Sequence, residues 1–147
     1  MRLQVSYLEN YNSGWGGLKK AHPSDAGFDL RAAIPSTILL MPSSFVKIPL
    51  GIATIFEEGY EAQLRARSGL AAKFGIGLVN GVGTIDAGYR GEWAVILYNY
   101  STDVFAIRPG DRVCQVVFNK LPDVEVVEGP FTFDDGRGGG FGSTGVA

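Results

Sequence analysis

Apolar and polar residues alternate with period two along much of this 147-residue chain, and this pattern dominates over helical periodicity. Leu3, Val5 and Tyr7 alternate with Gln4 and Ser6; Val46, Ile48 and Leu50 alternate in a later stretch; Leu64 and Ala66 oppose Arg65 and Arg67. Two longer β-rich runs, Glu92 to Tyr98 and Arg112 to Phe118, and a shorter one over Val124 to Val127 add to the pattern. Turn signals at Pro23-Ser24-Asp25, Pro42-Ser43-Ser44, Glu58-Gly59, Asn80-Gly81 and Pro109-Gly110-Asp111 separate the runs. Many short strands at close spacing point to an all-β sandwich or jelly roll of about ten or eleven strands. One stretch reads as helical: Ser68 as N-cap, then Gly69 to Phe74, ended by Gly75.

Several function classes fall away at once. The formal net charge is −2 and only 19% of residues are charged, so no basic footprint for nucleic acid or acidic membranes exists. His22 is the only histidine and Cys114 the only cysteine, which removes multi-histidine zinc sites and an intrachain disulfide. Met1 to Asn10 mixes Arg2, Gln4, Ser6 and Glu9 into its apolar residues, unlike a signal-peptide core. No apolar run approaches the roughly 18 residues of a membrane span. The expected location is the cytoplasm. Asn99-Tyr100-Ser101 is a glycosylation sequon that carries weight only in a secreted protein.

Glycine accounts for 21 of the 147 residues, about twice the roughly 7% of an average chain. Six of these glycines lie between Gly136 and Ala147, a segment that cannot bury enough apolar surface to order itself. It is either a dispensable tail or an arm ordered by something else. Gly140 to Gly145 formally matches G-x-G-x-x-G, but no strand pattern leads into it, as a dinucleotide fingerprint requires.

Four further segments combine chemistry with backbone access. Arg67-Ser68-Gly69-Leu70 places an arginine and a hydroxyl at a helix start, a combination that suits phosphate as well as it suits a capped surface helix. Asn80 to Glu92 reads as a hairpin with more glycines than a plain turn needs, offering Asp86 as acceptor or base and Tyr89 as a flat face. Asp25 to Leu30 sets a carboxylate at a strand start. In Arg112-Val113-Cys114-Gln115, strand alternation sends Arg112 and Cys114 one way and Val113 and Gln115 the other, with Cys114 as a packing residue.

Taken together and in order, these segments resemble the trimeric dUTPase (deoxyuridine triphosphate nucleotidohydrolase) family. The motifs stand here as Asp25-Ala-Gly-Phe-Asp29-Leu, Arg67-Ser-Gly-Leu70, Asn80-Gly-Val-Gly-Thr-Ile-Asp-Ala-Gly-Tyr-Arg-Gly-Glu92, Arg112-Val-Cys-Gln115 and Arg137-Gly-Gly-Gly-Phe-Gly-Ser-Thr-Gly145, and the match spans residues 20–147. Three glycines separate Arg137 from Phe141, one fewer than is common in the family.

The resemblance implies a distorted, β-clip-like jelly roll over residues 1–132 and a flexible glycine-rich arm over residues 133–147. It also implies a homotrimer whose sites are shared, the arm of one subunit closing over a neighbour's site. The implied reaction is hydrolysis of dUTP to dUMP and pyrophosphate by water attacking the α-phosphorus, assisted by Mg2+.

The same resemblance distributes the roles. Asp86 holds and deprotonates the water. A carboxylate with an ordinary pKa of roughly 4 is a weak base at neutral pH, so positioning must contribute. Tyr89 lies under the deoxyribose and excludes a 2′-OH. Asn80, Gly83, Thr84 and Ile85 read uracil, whose donor and acceptor pattern cytosine cannot match. Arg67, Ser68, Gly69, Gln115, Arg137, Gly142, Ser143 and Thr144 hold phosphates and substrate, and Phe141 covers uracil. Asp29 meets the magnesium through water. Two alternatives stand beside this reading: a dUTP-binding regulatory protein, and a bifunctional dCTP deaminase-dUTPase. The deaminase branch carries a glutamate where this chain has Ile96, which cannot move a proton.

Overall fold

A nine-residue strand, Arg112–Lys120, organises the largest sheet. The computed structural model describes residues 1–130 of the 147. In chain order the strands are β1 (Leu3–Tyr7), β2 (Phe28–Arg31), β3 (Ile38–Leu40), β4 (Phe45–Pro49), β5 (Ile52–Phe56), β6 (Tyr60–Arg65), β7 (Ile76–Leu78), β8 (Val82–Asp86), β9 (Ala94–Asn99), β10 (Phe105–Ile107) and β11 (Arg112–Lys120). One helix, α1 (Ser68–Phe74), follows β6, and a single 3₁₀ turn covers Ser13–Trp15. All pairings are antiparallel: β1 with β5, β3 with β10, β2-β11-β6-β8 as a four-stranded sheet and β4-β9-β7 as a three-stranded one. The all-β jelly-roll expectation holds, with eleven strands among the described residues. No helix of the described residues is long and apolar enough to cross a membrane.

The inward faces of these sheets meet in one core. Leu30, Leu64 and Val116 come from the four-stranded sheet, Ile48, Leu78, Val95 and Leu97 from the three-stranded one, and Ile52, Leu40 and Ile107 from the two ribbons. Trp93, fully buried, is the largest side chain in it. Burial alternates along β5 and β9 as period-two patterning requires.

Four local expectations are corrected. The run from Glu92 begins as a strand only at Ala94, because Trp93 N–H donates to Ile52 and the Trp93 carbonyl accepts from Leu50, while the Glu92 carboxylate accepts from Gly51 N–H and Asn10 Nδ2. These bonds tie the segment to a different sheet. Asn80 to Glu92 is likewise no hairpin. β8 pairs with β6 while β9 pairs with β4 and β7, so the chain crosses between sheets there. The helix is capped by Arg67, one residue earlier than expected, with no side-chain cap: Arg67 still has the extended φ/ψ of −90°/127°, and its carbonyl accepts from Leu70 and Ala71. Gly75 ends it as expected, at φ 63°, its N–H returning to Ala71.

The fourth correction is the strand expected over Val124–Val127. Residues 121–130 form no strand, and Val126 and Val127 are 80% and 81% exposed. A four-residue β-rich run gains its preference from a paired neighbour, and none of the described residues supplies one.

Gly51 shows how tightly the corner beside Trp93 is built. Its φ is 67°, and an added Cβ would lie 2.9 Å from Ala33 Cβ and 3.0 Å from Tyr11 Cβ. Gly51→Ala is expected to cost about 2–4 kcal/mol, combining left-handed strain with overpacking. Urea unfolding checks this; an unchanged midpoint would contradict it.

Candidate active site

β2, β11 and the end of β6 lie side by side, and this register assembles the first group of residues. Gln115 is opposite Asp29 on one side and Arg65 on the other. Asp29 Oδ1 accepts from Arg67 Nε at 2.9 Å, and Oδ2 accepts from an Arg112 terminal nitrogen at 3.1 Å. Arg67 also donates to the Arg112 carbonyl at 3.0 Å, and Gln115 Nε2 donates to the Ala66 carbonyl at 3.0 Å. Asp29 and Arg67 are each about one-quarter exposed or less, so this pair sits at the surface's edge rather than in bulk water.

A one-residue irregularity in β11 explains the arrangement. The pairing with β2 shifts between Arg112 and Cys114, two positions meeting consecutive residues of the partner. Strict alternation fails at that point: Val113 and Cys114 are both buried while Arg112 stays exposed and turns to Asp29. The expected one-sided placement of Arg112 with Cys114 is therefore corrected. Burial raises the Cys114 thiol far above its ordinary pKa, with the nearby Asp29 charge adding and Arg67 opposing. It is a packing residue and not a nucleophile.

The second group lies on β8, an edge strand. Glu61, Ala62, Gln63 and Leu64 of β6 face Asp86, Ile85, Thr84 and Gly83 in turn. Burial alternates along β8, leaving Val82, Thr84 and Asp86 exposed and Gly83 and Ile85 turned inward. An added Cβ at Gly83 would come within 3.2 Å of Leu64 Cβ and 3.6 Å of Asn80 Nδ2, so the absent side chain lets this backbone lie close to both. The turn beyond closes through Tyr89 N–H to the Asp86 carbonyl and Tyr89 Oη to the Glu92 carbonyl, both at 3.0 Å. The Tyr89 ring lies over the Gly91 backbone, where an added Cβ would be only 2.7 Å from Cζ.

The two groups share one sheet, Val82 pairing with Arg65 and Arg65 with Gln115, but Asp86 stands at the far end of β8. Asp86 is opposite Glu61, and Arg67 lies six residues further along the same path. At roughly 3.3 Å per residue the separation is about 20 Å. Ser68 and Gly69 follow Arg67 on the exposed start of α1. Arg137, Phe141, Gly142, Ser143 and Thr144 lie outside the described residues.

No group of three or more His, Cys, Asp or Glu among the described residues could hold a metal by itself. Asp29 retains lone pairs beyond the two occupied by arginines, since an ionised carboxylate offers about four acceptor sites. It fits an outer contact through water, with the other ligands coming from a substrate.

Sequence reasoning missed two organising residues. Arg112, the second partner of Asp29, stood in a quoted motif without a role. Asn99, fully buried, donates to the Leu40 and Asp103 carbonyls and accepts from Ser101 N–H and Oγ. The sequon asparagine is thus a structural hub.

The dUTPase family pattern matches residues 15–145. The chain belongs to the dUTPase family. It is 47% identical over 127 residues to the deoxyuridine 5′-triphosphate nucleotidohydrolase of Neorickettsia sennetsu, covering 86% of this chain and 85% of that one. Against the protein of the same name from Rickettsia bellii it is 44% identical over 147 residues, covering 99% and 96%. A mutant dUTPase of Staphylococcus bacteriophage 80alpha, solved with dUpNHpp, aligns with a TM-score of 0.76 at 25% identity over 99% of each chain. The matched span includes the β8 edge and the Asp29–Arg67 pair.

Proposed function

We propose that this protein hydrolyses dUTP to dUMP and pyrophosphate in nucleotide metabolism, as a cytoplasmic homotrimer. The observation that carries the reading is the exposed β8 edge, where Asp86 and the Tyr89 ring flank one backbone strip inside a chain of this family. Asp86 orients a water toward the α-phosphorus and takes its proton as the new P–O bond forms. The bond from the α-phosphorus to the bridging oxygen breaks, and the leaving diphosphate carries the charge away. Tyr89 supports the deoxyribose. Asn80 and the Gly83–Ile85 backbone hydrogen-bond uracil.

Phosphates take charge-assisted hydrogen bonds from Arg67, with Ser68, the Gly69 amide and Gln115 beside it. A magnesium ion bound to those phosphates would neutralise charge on the leaving group, with Asp29 contacting it through water. The separation of about 20 Å between Asp86 and Arg67, at roughly 3.3 Å per residue along β6, supports sites built from different subunits. Residues 1–132 act as the core of each subunit. From the arm, residues 133–147, Arg137, Ser143 and Thr144 serve phosphates, Gly142 lines the substrate, and Phe141 covers uracil.

The test is pyrophosphate release with dUTP, dCTP, dTTP and UTP in magnesium. Turnover of dUTP alone is expected. A site built to pair uracil's polar edge rejects a mismatched base by about 10⁴-fold when its own groups are left unpaired. Ammonia release from dCTP would favour the deaminase alternative, and binding of dUTP without turnover the regulatory one.

A further inference from the structure

The turn that presents Tyr89 is tied down with the help of Asn10, a residue outside every motif. Asn10, in the loop after β1, donates through Nδ2 to the Glu92 carboxylate at 2.8 Å and to the Ala33 carbonyl at 3.2 Å. The same carboxylate oxygen, Glu92 Oε1, accepts from Gly51 N–H at 3.0 Å. Gly51 is itself fixed, since its carbonyl accepts from Leu8 N–H at 2.8 Å. The loop after β1, the chain after β2 and the corner between β4 and β5 are therefore joined to the end of the turn through one oxygen. Among the described residues Glu92 makes no ion pair, so both partners are neutral donors to a charge. Such bonds are roughly twice as strong as those between neutral groups.

The peptide that follows Glu92 is held from both sides. Trp93 N–H donates to the Ile52 carbonyl at 2.8 Å, and on the opposite side of the same planar unit the Glu92 carbonyl accepts from Tyr89 Oη at 3.0 Å. The tyrosine ring also rests on the Gly91 backbone, where an added Cβ would be 2.5 Å from Oη. Tyr89 is 44% exposed, so packing on all sides does not set its orientation. The ring keeps one pose only while its hydroxyl acceptor stays in place. The other bonds of the turn, Tyr89 N–H to the Asp86 carbonyl and Arg90 to the Ala87 and Tyr89 carbonyls, lie within residues 86–90 and move with it. Glu92 and Trp93 tie its far end to the core.

We infer that Asn10 and Glu92 are positioning residues that set the Tyr89 ring and thereby the discrimination between 2′-deoxyribose and ribose. The inference rests on the proposed reading in which Tyr89 supports the deoxyribose. A 2′-hydroxyl adds a single heavy atom, so its exclusion depends on holding the ring to within about 0.5 Å. That precision comes from a rigid support behind the ring, and the Asn10–Glu92–Gly51 bonds supply it.

The experiment compares full-length wild type with Glu92→Ala, Glu92→Gln, Asn10→Ala and Ser101→Ala. It measures kcat and KM for dUTP and UTP in magnesium, and follows the Tyr89 ring resonances by NMR, assigned through Tyr89→Phe. Glu92→Ala is expected to narrow the dUTP-to-UTP ratio of kcat/KM by about tenfold, since hydrogen bonds to a charged group are worth that much. KM for dUTP should rise while its kcat stays within a few-fold, and the ring resonances should move toward those of an unstructured tyrosine. Asn10→Ala loses one of the two bonds and should narrow the ratio by about threefold. Glu92→Gln keeps an oxygen that accepts both bonds and should retain the wild-type ratio. Ser101→Ala removes a hydroxyl that donates to Asn99 Oδ1 elsewhere in the fold, and it controls for lost stability alone. An unchanged ratio in Asn10→Ala and Glu92→Ala, equal narrowing in Ser101→Ala, or a Glu92→Gln ratio as poor as that of Glu92→Ala overturns the assignment. If Glu92→Ala fails to fold, Asn10→Ala decides the question, because Asn10 is exposed. If wild type leaves dUTP intact, the reaction assignment fails, and the ring resonances still decide whether Asn10 and Glu92 hold Tyr89.

Discussion

Asp86→Asn should bind dUTP within a few-fold of wild type and lose turnover by about 10²–10⁴-fold, the range supplied by a positioned general base. The substitution keeps the shape of the side chain and removes its ability to take a proton. Asp86 is exposed at the end of β8, and among the described residues its carboxylate accepts no hydrogen bond. Stability should therefore change by no more than about 0.5 kcal/mol. Pyrophosphate release, with calorimetric binding of dUTP, separates the two quantities. Turnover equal to wild type would remove Asp86 from its role.

Subunit mixing carries the second large effect. Arg67→Gln removes a guanidinium that Asp29 orients, and it should lower turnover by about 10²–10³-fold, as loss of a charge-stabilising donor does. The two defects sit about 20 Å apart in one chain, at roughly 3.3 Å per residue along β6. If each site takes Asp86 from one copy and Arg67 from another, unfolding and refolding the two inactive variants together creates intact sites. In a random equal mixture of a cyclic trimer, about a quarter of the sites should be intact. Activity near a quarter of wild type is the expected reading. No recovery, in a mixture shown by mass to have exchanged subunits, would mean that each chain completes its own site.

The motif residues were legible because their chemistry and order are properties of neighbouring positions. Gly75 ended its helix as the sequence indicated, since a left-handed C-cap depends only on local backbone. Cys114 packed in the core as expected. The misreadings share a cause. Glu92 and Trp93 looked like strand residues and are hydrogen-bonded to the chain around Gly51 and Ile52. Val124 to Val127 has strand composition and no partner in the described chain. The shift between Arg112 and Cys114 buries the neighbours Val113 and Cys114 together, where regular strand alternation would have sent them to opposite faces.

From the sequence alone came the all-β class, the short helix, the family motifs and the chemistry each could perform, because periodicity, turn residues and side-chain type are written in consecutive positions. Only the tertiary structure decided that Asp29 joins Arg67 to Arg112 and that Asp86 stands far from Arg67. Those facts depend on which strands pair and in what register. That choice is made by hydrogen bonds and burial between segments distant in the chain, and local pattern does not encode it.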